Sequence, residues 1–244
     1  MAAQTSADGP SLRPPACDET SHLAMYFVVG LTNLHMMNRE REVLRLIARA
    51  PMRTVRAVNL AGVYSHPGPQ LAILERRGVV HRLAHGIYCA VPPEYVGDAW
   101  RPTIEAATAA IATALVGDRV PVLTGLTAAR MHRALPRAIG TGYVAVPAQR
   151  RPLLLADRDG EVRFVMRDGA ALDAVAMTTD LGQVLVTTRE QTLLDLARAD
   201  PRAEDLDTQE AIDALWPWSD PAALEKISAH QRMRATYERV AANR

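Results

Sequence analysis

The chain has 244 residues, more than one compact core of ordinary size needs, so two domains of roughly 100 residues or a little more each are expected. Hydrophobic residues make up 48% and charged residues 23%, the balance of a soluble globular protein, which excludes a collagen, a coiled coil and a wholly disordered chain. Aromatics at 5% argue against stacking platforms for single-stranded nucleic acid, and no apolar run reaches the about 18 residues of a membrane span: the longest, Thr103 to Gly117, is Ala-rich and carries Glu105.

The net charge of +1 conceals a segregation. From Arg39 to Val91 nine arginines stand against Glu40, Glu42 and Glu75, a balance of +6, whereas Leu153 to Asp220 carries six arginines against fifteen carboxylates, a balance of −9. A local arginine excess in a small domain is the footprint of a phosphate-binding surface, because each neutralised phosphate releases counterions. Lys226 is the only lysine, which excludes catalysis by a lysine elsewhere and leaves no phosphate loop or E-x-K nuclease motif in context.

Residues 1 to 37 read as a flexible leader, with Gly9, Pro10, Pro14 and Pro15 and no periodic apolar pattern in the first twenty-two. Met1, Met25, Met36 and Met37 all precede the first well-patterned helix, and the sequence does not choose among them as the translation start. The apolar run Leu23 to Leu31 has the length of a secretory core, but Asp18 and Glu19 stand where positive charge belongs, so the expected localisation is cytoplasmic. Cys17 and Cys89 make no metal-binding pair, and Cys89 reads as a buried thiol in an apolar strand.

A regular pattern begins at Asn38, which is expected to cap a helix with Val43, Leu46, Ile47 and Ala50 inward and Pro51 at its end. Thr54 to Ala61 reads as a second short helix, and Ser65 as the cap of a third that runs to Arg77 and stops at Gly78. Val79 to Leu83 and Ile87 to Val91 then read as two strands joined by Ala84, His85 and Gly86. Three short helices followed by a β-hairpin make a winged helix-turn-helix domain over 38–95, whose third helix suits the major groove of duplex DNA.

The run Arg53 to Tyr95 resembles the winged-helix domain of AbiEi-family antitoxins. The landmarks are the turn Ala61, Gly62 and Val63, then Arg76, Arg77 and Gly78, then Gly86, Ile87 and Tyr88, and the proline exit Pro92 and Pro93. Two later blocks are similar to the second domain of the same family: Leu123 to Pro136, LTGLTAARMHRALP, and Val186 to Ala197, VTTREQTLLDLA. The likeness runs from Arg39 to about Pro201.

Residues 96–244 read as a mixed α+β domain with a C-terminal helical tail. Helices are expected at Thr103 to Leu115, Thr127 to Leu135 and Arg189 to Arg198, the last with Thr188 and Gln191 at capping-box spacing. Strand-like runs fall at Tyr143 to Val146, Leu153 to Ala156, Val162 to Met166, Ala174 to Met177 and Gln183 to Thr187, with Asp159 and Gly160 in a turn. A final helix capped by Asp220, with Pro221 in its first position, is expected to reach about Ala242.

Other chemistry finds weaker support. His81 and His85 have a helical metal spacing but fall in a strand and its tip, where exposure or wing contact is the simpler reading. Asp157, Asp159 and Glu161 lack a calcium-loop pattern, His132 reads as a helix-surface or packing residue, and Asp195 as a polar helix contact. No metal, cofactor or catalytic residue is expected, and the chain is read as not an enzyme.

Double-stranded DNA is the expected partner, through Ser65, His66 and Gln70 at the opening of the third helix, Arg82 and His85 on the wing, and Arg53, Arg56, Arg76 and Arg77 on phosphates. The resemblance implies a DNA-binding antitoxin that represses its own operon at an inverted repeat and counteracts a nucleotidyltransferase-like toxin of the AbiEii type. Two other classes stand beside it: a ligand-responsive winged-helix regulator, which needs a polar pocket in the second domain, and an enzyme delivered to DNA, which needs a perturbed carboxylate or metal cluster there.

Overall fold

The computed structural model describes residues 37–198 and 206–243. The leader, Cys17 and the start positions Met1, Met25 and Met36 lie outside them. The fold is mixed α+β with two sheets.

A helix over 37–49, α1, opens the described chain and contains Asn38, so that residue does not cap it. Val43 and Ile47 are buried from it, while Leu46 is exposed. Pro51 begins a 3-10 turn in which Met52 and Arg53 have φ of 53° and 47°. Two consecutive left-handed residues cost roughly 1–2 kcal/mol each. The kink sends Met52 inward and leaves Arg53 on the surface.

The expected second helix is a strand, β1 (Thr54–Arg56), followed by a 3-10 turn at Ala57–Leu60. The β-branched Thr54 and Val55 find partners in a distant strand, and that pairing outweighs the local helical spacing of Val55 and Val58. Helix α2 (Pro67–Arg76) is N-capped by His66 without a side-chain hydrogen bond, so Ser65 stands one position outside the cap. At its other end Gly78, with φ 69°, donates to the Glu75 carbonyl, and Val79 donates to that of Leu74. This is the paired arrangement that satisfies a helix's last carbonyls. Strands β2 (Val80–Ala84) and β3 (Ile87–Ala90) form a hairpin turned at Gly86, and the three-stranded sheet has the order β1-β3-β2.

Helix α3 (Ile104–Val116) is capped by Thr103 Oγ1, which accepts from the Ala106 N–H at 3.2 Å, an arrangement that contributes about 1 kcal/mol. The second sheet has the order β6-β7-β5-β4-β9-β8, from β4 (Val122–Leu123), β5 (Thr141–Val146), β6 (Leu153–Leu154), β7 (Glu161–Met166), β8 (Ala174–Thr179) and β9 (Gly182–Thr187). The two-residue β4, which no sequence pattern announces, lies inside the sheet, antiparallel to β5 and parallel to β9. Asp159 and Gly160 do make the turn between β6 and β7, with Leu155 donating to the Gly160 carbonyl.

The alanines of α3 allow close approach on more than one side. Ala106, Ala107, Ala109, Ala110 and Ala112 are buried in one cluster with Leu83, Ala84, Ile87 and Cys89 of the hairpin and Val144, Val146, Val162 and Phe164 of the larger sheet. A Cβ at Gly142 would collide with the Thr108 hydroxyl, so only glycine lets β5 lie this close to the helix. The hairpin's inner side is therefore part of the larger sheet's core. Val43, Ile47, Val55, Leu60, Leu71, Leu74, Val80 and Tyr88 form a separate cluster under α2.

A third cluster is built mainly from helices: α4 (Gly125–Met131), α5 (Arg189–Arg198), α6 (Leu206–Leu215), α7 (Pro221–His230) and α8 (Arg234–Ala242). Helix α5 occupies the expected residues, and Thr188 Oγ1 accepts from the Gln191 N–H. The expected single tail helix is two, because Arg232 with φ 57° breaks it and redirects the chain. Asp220 caps the first of them by accepting from the Ala222 N–H.

Candidate nucleic-acid interface

Helix α2 buries Leu71 and Leu74 and leaves Gly68, Pro69, Ile73, Arg76 and Arg77 exposed. Ser65 and His66 are exposed just ahead of it, and Gln70 is half-buried at its fourth position. These three stand at one end of a helix of ten residues, whose length is about 15 Å, with Arg76 and Arg77 at the other. Proline at the first helical position loses no intrahelical bond, since that N–H has no partner in any helix.

On the hairpin, Arg82 Nη2 lies 3.3 Å from His85 Nδ1, and His85 is exposed at the tip. Arg56 sits opposite Ile87, and the next residue, Ala57, donates to the Gly86 carbonyl at 2.8 Å, so the Arg56 backbone runs beside the hairpin tip. Arg53 is exposed at the kink before it. Of the nine residues expected at DNA, a side-chain hydrogen bond joins Arg82 to His85, while Arg53, Arg56, Ser65, His66, Arg76 and Arg77 are exposed and Gln70 is half-buried. Arg53, Arg56 and Arg76 hold no carboxylate among the described residues.

Arg45 and Arg49 belong with them and were not singled out from the sequence. Both are exposed on α1 and have no carboxylate partner among the described residues. Their spacing of four, opposite the buried Val43 and Ile47, was the available signal.

His81 is the other revision on the hairpin. It does not reach outward from the hairpin: its Nε2 lies 2.9 Å from Asp157 Oδ2, and its ring meets Trp100 edge-on at 5.9 Å. Arg158 donates to the same carboxylate and to the Pro102 carbonyl. Burial opposes ionisation of Asp157, yet the hydrogen bonds from Arg158 and His81 prevail and hold its carboxyl below the ordinary value. Asp157 is thus taken up by a cross-link from the larger sheet to the hairpin, which the Ala156 N–H reinforces by donating to the Leu83 carbonyl. No cluster of histidine, cysteine and carboxylate side chains able to hold a metal occurs among the described residues.

The remaining titratable candidates are also engaged in structure. Asp195 accepts from Arg167 at 2.6 Å, from Gln191 at 2.9 Å and from the Thr124 hydroxyl at 3.1 Å, and Arg167 also donates to Gln231. This network ties β7, α4, α5 and α7 together. His132 Nε2 lies 2.7 Å from the Thr187 carbonyl, which makes that nitrogen the donor, and burial lowers the ring's pKa. Burial pushes the Cys89 thiol up to about 12, so it stays protonated and unreactive. Among the described residues no helix is long and apolar enough to cross a membrane.

No protein-family model matches the chain, and no curated protein matches it. Among solved structures, the crystal structure of the RV2827C protein from Mycobacterium tuberculosis is similar over 85% of this chain and 82% of that chain, with a TM-score of 0.43 and 18% sequence identity. A likeness this distant carries no argument about function.

Proposed function

We propose that the chain is a DNA-binding antitoxin whose winged helix, residues 38–95, represses its own operon. One observation carries the DNA-binding part: the arginines Arg45, Arg49, Arg53, Arg56 and Arg76 are exposed and hold no carboxylate among the described residues, in the unit whose helix α2 buries Leu71 and Leu74 and exposes its other side. The order helix, strand, turn, helix and hairpin, with β1 pairing to β3, supports reading this unit as a winged helix. Helix α2 is the element that enters the major groove, with Ser65, His66 and Gln70 toward base edges; Arg82 and His85 lie on the neighbouring backbone, and Arg76 and Arg77 on phosphates.

The antitoxin part rests on the resemblance of the landmark residues, from Ala61-Gly62-Val63 to the block Val186 to Ala197. In this reading the protein acts in the cytoplasm, binds an inverted repeat as two copies with half-sites one helical turn or a multiple apart, and opposes a nucleotidyltransferase-like toxin.

Gel-shift titration of the full chain on the DNA upstream of its own gene tests the first part. Gln70→Ala should cost about 1–3 kcal/mol on the cognate site and little on random duplex, whereas Arg82→Ala should weaken both and reduce the salt slope by about one. Equal losses for Gln70→Ala on both duplexes would show that α2 positions the domain without reading sequence. Co-expression with the product of the adjacent gene tests the second part: a toxic nucleotidyltransferase neutralised by this chain supports it, and an adjacent gene of another kind removes it.

A further inference from the structure

The helical end of the molecule carries a cleft of about 490 Å³. It lies between the end of α4, the start of α5 and the 3-10 turn Trp216–Trp218, and is lined by His132, Arg133, Arg189, Leu215, Pro217 and Trp218. Its volume is that of a small-molecule site.

Two features of the lining lack a structural explanation. Trp218 is 73% exposed, although an indole is among the side chains that gain most from burial. Leu215, at the end of α6, is buried in the helical core and Trp216 packs against the same core, so this turn packs through Trp216 and presents Trp218 outward. The second feature is the pairing of charge. Arg158, Arg163 and Arg167 of the acidic segment each hold a carboxylate, and so do Arg130 and Arg137 ahead of it. Arg133 and Arg189 hold none among the described residues, and both line this cleft.

Arg133 follows α4 in a left-handed conformation, φ 62°, with its N–H on the Arg130 carbonyl, and Arg189 is the first residue of α5. Between them His132 is fixed by its bond to the Thr187 carbonyl.

We propose that this cleft binds a phosphorylated ligand with a planar ring, the chemistry of a mononucleotide: the guanidinium groups of Arg133 and Arg189 hold the phosphates and the face of Trp218 stacks on the base. Guanidinium forks match phosphate oxygens in pairs, and an indole offers the broadest ring surface for stacking. A bare anion would leave Trp218 unused, and an apolar ligand would leave two unpaired cations against it.

Calorimetric titration of the full chain at low salt with ADP, pyrophosphate and adenosine tests the proposal. ADP is expected to bind saturably, pyrophosphate more weakly and adenosine weakest. Arg189→Glu should weaken ADP and pyrophosphate by roughly tenfold or more, and Arg133→Asn, a residue that suits the left-handed backbone, should act in the same direction. Trp218→Ala should weaken ADP while sparing pyrophosphate. All three side chains lie at the cleft surface, and circular dichroism of each variant verifies that it is folded. Absence of saturable ADP binding at millimolar concentration overturns the proposal, as does ADP binding that none of the three variants changes. So does binding of polyglutamate, but not ADP, in an Arg189-dependent way, which would make the cleft a docking surface for an acidic protein. None of these outcomes depends on DNA binding, so the reading of the first unit stands or falls separately.

Discussion

Arginine does opposite work in the two parts of this chain. In the segment from α1 to the end of α2, Arg45, Arg49, Arg53, Arg56 and Arg76 are exposed and make no ion pair among the described residues. In the larger part Arg130, Arg137, Arg158, Arg163 and Arg167 each close onto one, and Arg167 with Asp195 joins four elements. One residue type therefore stands outside any ion pair at the first five positions and within one at the second five, three of which, Arg130, Arg158 and Arg167, are partly buried. The supply of carboxylates differs as well, three against nine arginines in Arg39 to Val91 and fifteen against six in Leu153 to Asp220, where Arg158, Arg163 and Arg167 find theirs.

That contrast is open to direct attack in intact chains; a cut near Gly97 would strip Leu83, Ala84, Ile87 and Cys89 of their partners and confuse loss of charge with loss of fold. The largest effect is expected from reversing Arg45, Arg49, Arg53, Arg56 and Arg76 to glutamate together. DNA retention in a gel shift should fall by roughly a hundredfold or more, since each lost phosphate contact removes about one unit of salt slope, while the melting temperature stays nearly unchanged. A protein that still binds duplex DNA as before would show that the free arginines are merely solvated. Next comes Asp195→Ala, which strands a partly buried Arg167 and should cost about 3 kcal/mol by urea unfolding, with little change in DNA affinity once folded.

Asp157→Asn should cost about 1–2 kcal/mol at neutral pH. Because the folded protein holds this carboxyl below its ordinary value, its contribution is full above the ordinary carboxylate range and is lost as pH falls through the depressed value. The variant's unfolding free energy should therefore converge on that of the parent in acid, and a constant gap at all pH would remove the ion pair as the cause. The smallest expected effect belongs to His132. Its folded-state pKa is lowered, so below about 6.5 the unfolded chain binds more protons and stability declines. His132→Gln should flatten that decline in denaturation curves between pH 8 and pH 5; an unaltered slope would assign the titration to another group.

Much of the fold could be read from local signals and some of it could not. Helix α5 starts and stops where Thr188 and its apolar face place it, and the hairpin follows from its strand residues around Gly86. β1 escapes a local reading because Val55 and Val58 fit a helix as well as a strand, and the deciding partner, β3, lies about thirty residues on. β4 has two residues, too few for any periodicity, and the larger sheet joins through it only because β5 and β9 flank it. The same reason hides the cross-link: His81 and Asp157 are 76 residues apart, so the strand alternation that exposes His81 says nothing of its partner. Arg45 and Arg49 were legible by helical spacing. The grouping of Arg133, Arg189 and Trp218 was not, because it depends on how α4, α5 and α6 pack.

The helix between the two sheets also sets the order in which the chain can become stable. As the chain leaves the ribosome, residues up to Ala90 arrive with Leu83, Ala84, Ile87 and Cys89 turned toward a neighbour that does not yet exist, since Ile104–Val116 emerges later and its opposite side waits longer still for Val144 and Phe164. The first third of the protein must therefore carry an open apolar face through synthesis, the state in which nascent chains are most prone to chaperone capture or mispairing.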